Sequence, residues 1–362
     1  MTLCPAPIRA CPQNAAGATA RRCRMTEFLR RRPPSVLLAL QGGGAHGAWT
    51  WGALDGLLAH GIRPAALSGT SAGALNAAVL ASGWAQGGAD GARQALADFW
   101  QALGELLPLG LLTVGQGEDT RLAPAARWML QWATHWLSPY DTHPAELNPL
   151  RELLERHVDI QRLRHPSALP LIIATTDAGS GALHLVRNPR LDIEALLASA
   201  CLPTLHHAVT LDGRTCWDGG FSANPALLPL IDAHPACDLM LIRLSPRDMG
   251  PAPREAAAIR HRMAEIGFAS GLQRELQWLA RLQADARAQW WPRGLAGRIH
   301  RMRWHVLDGG SALQRLAPDS RLLAHGPLLD SLRQSGHGEA GRWLQAHAAA
   351  LGQRSTTPLL GL

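Results

Sequence analysis

The chain has 362 residues, of which 47% are hydrophobic and 17% are charged. This length and mix are typical of a globular protein with a sizeable core, and they exclude a disordered or collagen-like chain. The formal net charge is +7 at pH 7, and arginine supplies the positive charge. This excess of positive charge favours an anionic partner, either nucleic acid or an anionic membrane surface. A GC-rich genome would also encode arginine in place of lysine.

Residues 1–34 are rich in Ala, Pro and Arg, with RRCR at 21–24 and RRR at 30–32. They lack the continuous apolar stretch of a secretory signal. We expect either a disordered basic leader here or a true start at Met25. Residues 35–247 are predicted to form an α/β core, and residues 248–362 a helical C-terminal extension packed on that core.

Apolar strands alternate with helices along the core. Strands are predicted at 35–41, 65–69, 169–174, 183–187 and 238–244, with a hairpin at 209–217 around the turn Asp212-Gly213. Helices are predicted at 48–60, 72–80 and 191–200, then from about Arg254 to Trp291, and a further strand at 298–307. This alternation is typical of a mostly parallel central sheet covered by helices on both faces.

The six cysteines form no recognisable pattern. There is no CxxC pair and no histidine at zinc-binding spacing, so neither a disulfide framework nor a metal site is expected. The cysteines are Cys4, Cys11, Cys23, Cys201, Cys216 and Cys237.

No apolar run reaches the roughly 18 residues that a membrane-spanning helix needs. We therefore expect a cytoplasmic protein, with peripheral membrane contact as an option.

Three consecutive glycines follow the first predicted strand, in GGGAHG (Gly42–Gly47). Glycines at a strand-to-helix junction let main-chain N–H groups approach a negative charge, and the helix start adds its positive dipole end. The charge is either a phosphate or a transient oxyanion. The same residues spell G-x-G-x-x-G, but a dinucleotide site wants an acidic residue about 20 residues beyond the loop. The next strand leads instead into Gly69-Thr70-Ser71.

A second motif, GTSAG (Gly69–Gly73), lies between a predicted strand and a predicted helix. In that setting G-x-S-x-G is a nucleophile elbow, where the serine occupies a strained turn that larger flanking side chains would block. The hydroxyl of Ser71 then lies at a helix N-terminus, where the dipole stabilises negative charge. The pattern predicts Ser71 as a nucleophile.

A third motif, Asp218-Gly219-Gly220, ends the predicted hairpin and is followed by FSANP (residues 221–225). An aspartate between a strand and two glycines presents its carboxylate with little steric cover. Asp-Gly is also a common turn dipeptide, so the motif has meaning only together with the other two.

In this order the three motifs resemble the patatin-like phospholipase family, over about Ser35–Leu244. The third falls within ASACLPTLHHAVTLDGRTCWDGGFSANP (Ala198–Pro225). The resemblance implies release of fatty acid from phospholipids or related lipids by a Ser–Asp dyad, with Ser71 as nucleophile, Asp218 as general base and no cofactor. It implies an oxyanion hole of main-chain N–H groups from Gly42, Gly43, Gly44 and Ala45. The supporting residues that it implies are His46, Gly47, Gly69, Gly73, Gly219, Gly220 and Asn224.

Two positions depart from the family pattern. His46 stands where the family often has Arg or Lys, and Gln41 where it often has an acid. We expect His46 to brace the loop through a hydrogen bond, and Asn224 to hydrogen-bond the backbone behind Asp218.

The alternative within hydrolysis is an α/β-hydrolase esterase with a Ser–His–Asp triad. That alternative needs a late histidine, such as His305 or His325. His206 and His207 follow the predicted helix at the expected mouth of the site, where they either line an acyl pocket or are partly exposed loop residues.

Tryptophan is abundant, with 13 residues against one tyrosine. Trp128, Trp132 and Trp136 form one stripe of a helix, either an interfacial lid or a stripe packed on the domain.

The helical stretch after Arg254 suits either contact with anionic lipid or packing on the core. It has the apolar residues Ile259, Met263, Ile266, Leu272, Leu276 and Leu279 and the basic residues Arg260, Arg262, Arg274, Arg281 and Arg287. No nucleic-acid-binding motif accompanies the arginines, so no nucleic acid is expected.

Overall fold

A computed structural model describes residues 35–106, 109–142, 148–288, 290 and 292–359. The leader predicted at 1–34 lies outside them. The strands are β1 (Ser35–Leu40), β2 (Arg63–Thr70), β3 (Thr113–Val114), β4 (Arg121–Leu122), β5 (Leu171–Asp177), β6 (Leu183–Arg187), β7 (Val209–Leu211), β8 (Arg214–Asp218), β9 (Asp238–Arg243) and β10 (Arg303–Asp308).

The α-helices occupy the segments between these strands. They are α1 (Gly47–Ala59), α2 (Ala72–Glu105), α3 (Pro124–Trp136), α4 (Pro139–Thr142), α5 (Pro149–His157), α6 (Ile160–Arg164), α7 (Ile193–Ser199), α8 (Leu228–Ala233), α9 (Ala256–Ala288), α10 (Gly294–Arg301), α11 (Gly310–Leu313) and α12 (Gly326–His347).

One eight-stranded sheet organises the molecule, in the order β10-β9-β1-β2-β5-β8-β7, with β6 also paired to β5. The strands from β10 to β5 run parallel, whereas β6 and β8 pair with β5 antiparallel. The predicted mostly parallel sheet is confirmed. The predicted hairpin is confirmed as β7–β8, whose turn residues Asp212 and Gly213 both have positive φ.

Both faces of the sheet are covered, which follows from the alternation of apolar side chains along β1. Val36, Leu38 and Leu40 join a core cluster formed with α1, α2 and α12. Leu37 and Ala39 face the opposite way and join a cluster formed with α8, α9 and α10. A strand whose side chains are apolar on both sides is what a central parallel strand requires.

Two predicted elements differ from the structure. The helix predicted at 72–80 continues to Glu105, interrupted at Gly87 and Gly88, because apolar residues at helical spacing continue through Leu96 and Trp100. The strand predicted at 298–307 begins only at Arg303, since residues up to Arg301 form α10, whose Ile299 packs in the core.

The chain after residue 247 contributes to the sheet as well as to its cover. β10 pairs with β9 at the edge of the sheet, and α12 packs against α1. The boundary at 247 stays a prediction. Within the described residues, no helix has the length and apolarity to cross a bilayer.

Candidate active site

The turn between β2 and α2 holds Ser71 in a strained conformation. Ser71 has φ 54° and ψ −127°, a region that non-glycine residues rarely occupy. Its main-chain N–H donates to Oγ of Ser199 at 3.0 Å, and the Ser199 hydroxyl donates to the carbonyl of Ala174 at 2.7 Å. Ser199 was not among the predicted site residues, although it lies in the ASA sequence that carried the resemblance.

The glycines on either side of Ser71 are required by close backbone packing. A Cβ at Gly69 would lie 2.7 Å from the main-chain nitrogen of Ala74. A Cβ at Gly73 would overlap the carbonyl group of Leu40, at the end of β1. The motif therefore lets α2 begin directly against the ends of two strands.

The register of β5 brings Asp218 beside the elbow. Thr70 pairs with Ala174, and the next residue of β5, Thr175, pairs with Asp218. β6 occupies the other edge of β5, so β2 and β8 share one edge and meet end to end. Thr70, the residue before Ser71, and Asp218 therefore lie at adjacent positions on that edge, although 147 positions separate Ser71 from Asp218 in the sequence (218 − 71).

Asp218 is fully buried and held by its own motif. Oδ1 accepts a 2.7 Å hydrogen bond from the N–H of Gly220, and the Asp218 N–H donates to the carbonyl of Cys201 at 2.9 Å. Gly219 is required because a Cβ there would overlap the carbonyl of Ala174. The carboxylate is thus fixed at the end of β8.

Burial raises the pKa of Asp218 from 3.8 to about 7, while the N–H of Gly220 and the hydroxyl of Ser71 act in the opposite direction. Oδ2 of Asp218 forms no hydrogen bond of normal geometry within the described residues. The Ser71 hydroxyl is the side-chain group that lowers the pKa of this carboxyl. The result is a carboxylate with one unsatisfied oxygen beside a serine.

The glycine loop lies directly against Ser71. A Cβ at Gly42 would be 2.8 Å from Cβ of Ser71, so only glycine fits there. The Gly42 N–H donates to Oδ1 of Asn224 at 2.7 Å and is thereby engaged. The main-chain N–H groups of Gly43 and Gly44 have no acceptor among the described residues, and Ala45 is buried.

Asn224 differs from the prediction. It does not hydrogen-bond the backbone behind Asp218; its side chain reaches the glycine loop because that loop passes between β1 and the segment after β8. Gln41 also bonds the backbone, since its Oε1 accepts from the N–H groups of Leu244 and Ser245 at 2.7 and 2.8 Å.

His46 is buried and neutral. Burial, and then the positive charge of Arg321, lower the pKa of His46 to about 3. Its Nε2 lies 2.7 Å from Oγ of Ser320. Gly47, which follows it, must be glycine because a Cβ would be 2.7 Å from Cβ of Ala72.

The two histidines that a triad would need are His305 and His325. His305 pairs with Met240 in the sheet, and its Nε2 lies 3.1 Å from Oδ1 of Asp238. Three strand spacings of about 4.8 Å separate β10 from β2, which keeps His305 away from Ser71. His325 lies at the start of α12. Within the described residues, neither histidine hydrogen-bonds Ser71 or Asp218.

His207 has an aromatic partner. It stacks on Tyr140 with ring centroids 4.1 Å apart, so it ties the loop after α7 to α4.

β2 ends in Thr70 without a carboxylate, so a dinucleotide ribose would have no acidic partner there. Among the described residues, no three His, Cys, Asp or Glu side chains could together hold a metal ion.

Comparisons with known proteins agree with the sequence motifs. A family model described as Patatin-like phospholipase matches residues 38–231. VipD from Legionella pneumophila is 14% identical, with TM-score 0.37, over 87% of this chain and 67% of that chain. The ExoU–SpcU complex of Pseudomonas aeruginosa is 18% identical, with TM-score 0.28, over 91% and 74%. These TM-scores are too low to bear on the site. No curated protein matches the chain.

Proposed function

Since the chain belongs to the patatin-like phospholipase family, we propose that it is a serine acyl hydrolase that releases fatty acid from phospholipids or related lipids. The observation that carries the proposal is the meeting of Ser71 and Asp218 on one edge of β5, next to the glycine loop. A nucleophile, a base and free main-chain donors are the groups that acyl transfer needs.

In the first half-reaction, the hydroxyl oxygen of Ser71 attacks the ester carbonyl while Oδ2 of Asp218 takes its proton. A carboxylate with an ordinary pKa is a weak base for a serine hydroxyl, but a pKa of about 7 makes Asp218 a stronger one that is about half ionised at neutral pH. The alcohol leaves with the proton from Asp218. Ser71 then carries the acyl group.

The negative charge on the tetrahedral intermediate is stabilised by the N–H groups of Gly43 and Gly44 and by the N-terminus of α2. Gly42 has a different role in this proposal, because Asn224 already accepts its N–H. Removing one oxyanion donor typically costs about 3 kcal/mol of transition-state stabilisation. Water then attacks the acyl group with Asp218 again as base, and the fatty acid is released.

The tryptophan stripe of α3 supports a lipid-facing surface. Trp128, Trp132 and Trp136 are 68%, 48% and 68% exposed, whereas Ala126 and Leu130, on the opposite side of the helix, pack on the core. We propose that this tryptophan face contacts the membrane that holds the substrate, because tryptophan favours the lipid–water boundary. The protein would then act from the cytoplasm as a peripheral protein.

The two halves of the long helix α9 have different environments. One half fits the predicted lipid contact, and the other fits the predicted packing on the core. Its first half exposes Met263 and Ile266 by 66% and 53%, next to the exposed Arg260. Its second half buries Leu272 and Leu279 in the core. The first half therefore adds an apolar and basic surface suited to anionic lipid.

The proposal is tested by fatty-acid release from a panel of phospholipids and neutral glycerolipids presented in mixed micelles. We expect the wild type to release fatty acid and Ser71→Ala to release none, with unchanged thermal unfolding. Ser167→Ala, at an exposed serine that bonds His165, is the matched control and should retain full activity. Equal release by Ser71→Ala and the wild type would reject the proposal.

A further inference from the structure

The turn Pro318–Leu322 packs against the glycine loop from a distant part of the sequence. Gly44 has φ 58°, and a Cβ there would overlap the main-chain carbonyl of Arg321. The two segments therefore touch through their backbones. The conformation of the loop at Gly44 depends on where this turn lies.

One buried hydrogen bond joins the two segments through side chains. Oγ of Ser320 lies 2.7 Å from Nε2 of His46, and both side chains are buried. Nδ1 of His46 has no partner among the described residues, so Ser320 is the group that fixes the imidazole. His46 directly follows Gly43, Gly44 and Ala45.

The residues on either side of Ser320 are anchored to two different helices. Asp319 pairs with Arg127 of α3 at 3.0 Å and accepts the N–H of Leu122 at 3.0 Å. Arg321 pairs with Glu265 of α9 at 3.3 Å. Ser320 is thus held from both sides, in a turn that has little freedom to shift.

The glycine loop borders a pocket on this side. The pocket has a volume of about 170 Å³, is partly open to solvent, and is lined by His46, Glu265 and Arg321 among others. Packing around the loop is incomplete there, so the backbone contact at Gly44 and the bond between Ser320 and His46 together hold the loop against the turn.

We propose that Ser320 is a positioning residue of the oxyanion loop, which acts through His46 to set the Gly43 and Gly44 amides relative to Ser71. The inference rests on the proposed function, because it assigns those amides to the oxyanion. Displacement of catalytic groups by about 1 Å can lower rates on the order of 100-fold. Loss of this bond should therefore reduce turnover rather than substrate binding.

The test uses the full chain and a soluble short-chain p-nitrophenyl ester. Ser320→Ala is expected to lower kcat about 10-fold or more with KM within twofold of wild type, and Ser320→Thr, which keeps a hydroxyl, should recover part of kcat. His46→Gln should also lower kcat, and the double variant should be no slower than His46→Gln alone. Ser167→Ala, which removes an exposed serine–histidine hydrogen bond of equal length, should match the wild type.

Two results would overturn the inference: wild-type kcat in Ser320→Ala, or effects of Ser320→Ala and His46→Gln that multiply in the double variant. If Ser320→Ala unfolds, the near-isosteric Ser320→Cys is measured against the same expectations. Failure of the proposed function gives a different pattern, in which Ser71→Ala hydrolyses the ester as fast as the wild type.

Discussion

The main-chain N–H of Gly42 donates a 2.7 Å hydrogen bond to Oδ1 of Asn224 across 182 positions of sequence. This bond ties the glycine loop after β1 to the segment that follows Asp218. Asn224→Ala should loosen the loop and lower kcat about 10-fold, because Gly42 loses its acceptor. Steady-state kinetics on a soluble ester measures the change.

The matched control for that variant is Asn188→Ala. Asn188 also bonds main-chain groups, at Leu171 and Leu163, but it lies away from the glycine loop. Its loss should lower thermal stability and leave kcat of the folded fraction unchanged. An Asn224→Ala variant with wild-type kcat would show that the loop needs no such anchor.

The pH dependence of kcat/KM should follow the ionisation of Asp218. A general base must be deprotonated, and burial raises the pKa of Asp218 to about 7. We expect kcat/KM to rise tenfold per pH unit below about 7 and to level off above it. Initial rates between pH 5 and 9 provide the profile. Rates that stay constant down to pH 5 would be inconsistent with Asp218 as the base.

Asp218→Asn should make the folded protein more stable at alkaline pH. Because burial raises the folded-state pKa, the stability available with a protonated Asp218 is complete below pH 3.8 and is lost as pH rises through about 7. The variant avoids that loss, so its free energy of unfolding at pH 8 should exceed the wild-type value by up to roughly 4 kcal/mol. Urea unfolding at pH 8 and pH 4 tests this.

Asp177→Asn is the control, because its effect on stability should be opposite to that of Asp218→Asn. The N–H groups of Gly179 and Ser180 lower the pKa of Asp177, so its charged form is the stabilising one. Asp177→Asn should therefore lower stability at pH 8. If both variants shift in the same direction, the assignment of the Asp218 shift to burial is wrong.

Replacing the tryptophan face should weaken membrane binding. We expect the Trp128→Ala, Trp132→Ala, Trp136→Ala triple variant to bind anionic liposomes at least tenfold more weakly, with hydrolysis of a soluble ester unchanged. Co-sedimentation at low and high salt measures this binding. Trp278→Ala, at a similarly exposed tryptophan of α9, is the control. Equal binding by the triple variant and the wild type would exclude this face.

The local parts of the site could be predicted from the sequence. Gly69, Gly73 and Gly219 occupy positions where backbone contacts exclude any side chain, and such requirements leave a mark in the sequence. The strands β1 and β2 were also predictable, because central parallel strands are apolar throughout. The start of β10 was obscured because Arg298 to Arg301 belong to the preceding helix.

Contacts between distant segments could not be predicted. Ser320 meets His46 across 274 positions, and nothing in the sequence around Ser320 differs from an ordinary turn. The role of Asn224 was wrong for the same reason, since its partner Gly42 belongs to another segment. The outward direction of the tryptophan stripe depends on which side of α3 packs on the core, which the helical period alone leaves open.

Fatty-acid release by Ser71→Ala, Asp218→Asn and the double variant is the most direct measurement of whether these two residues act as one unit. We predict that each single variant loses turnover almost completely and that the double variant is no slower than either, because groups that act together are not additive. Wild-type turnover in folded Asp218→Asn would contradict the dyad.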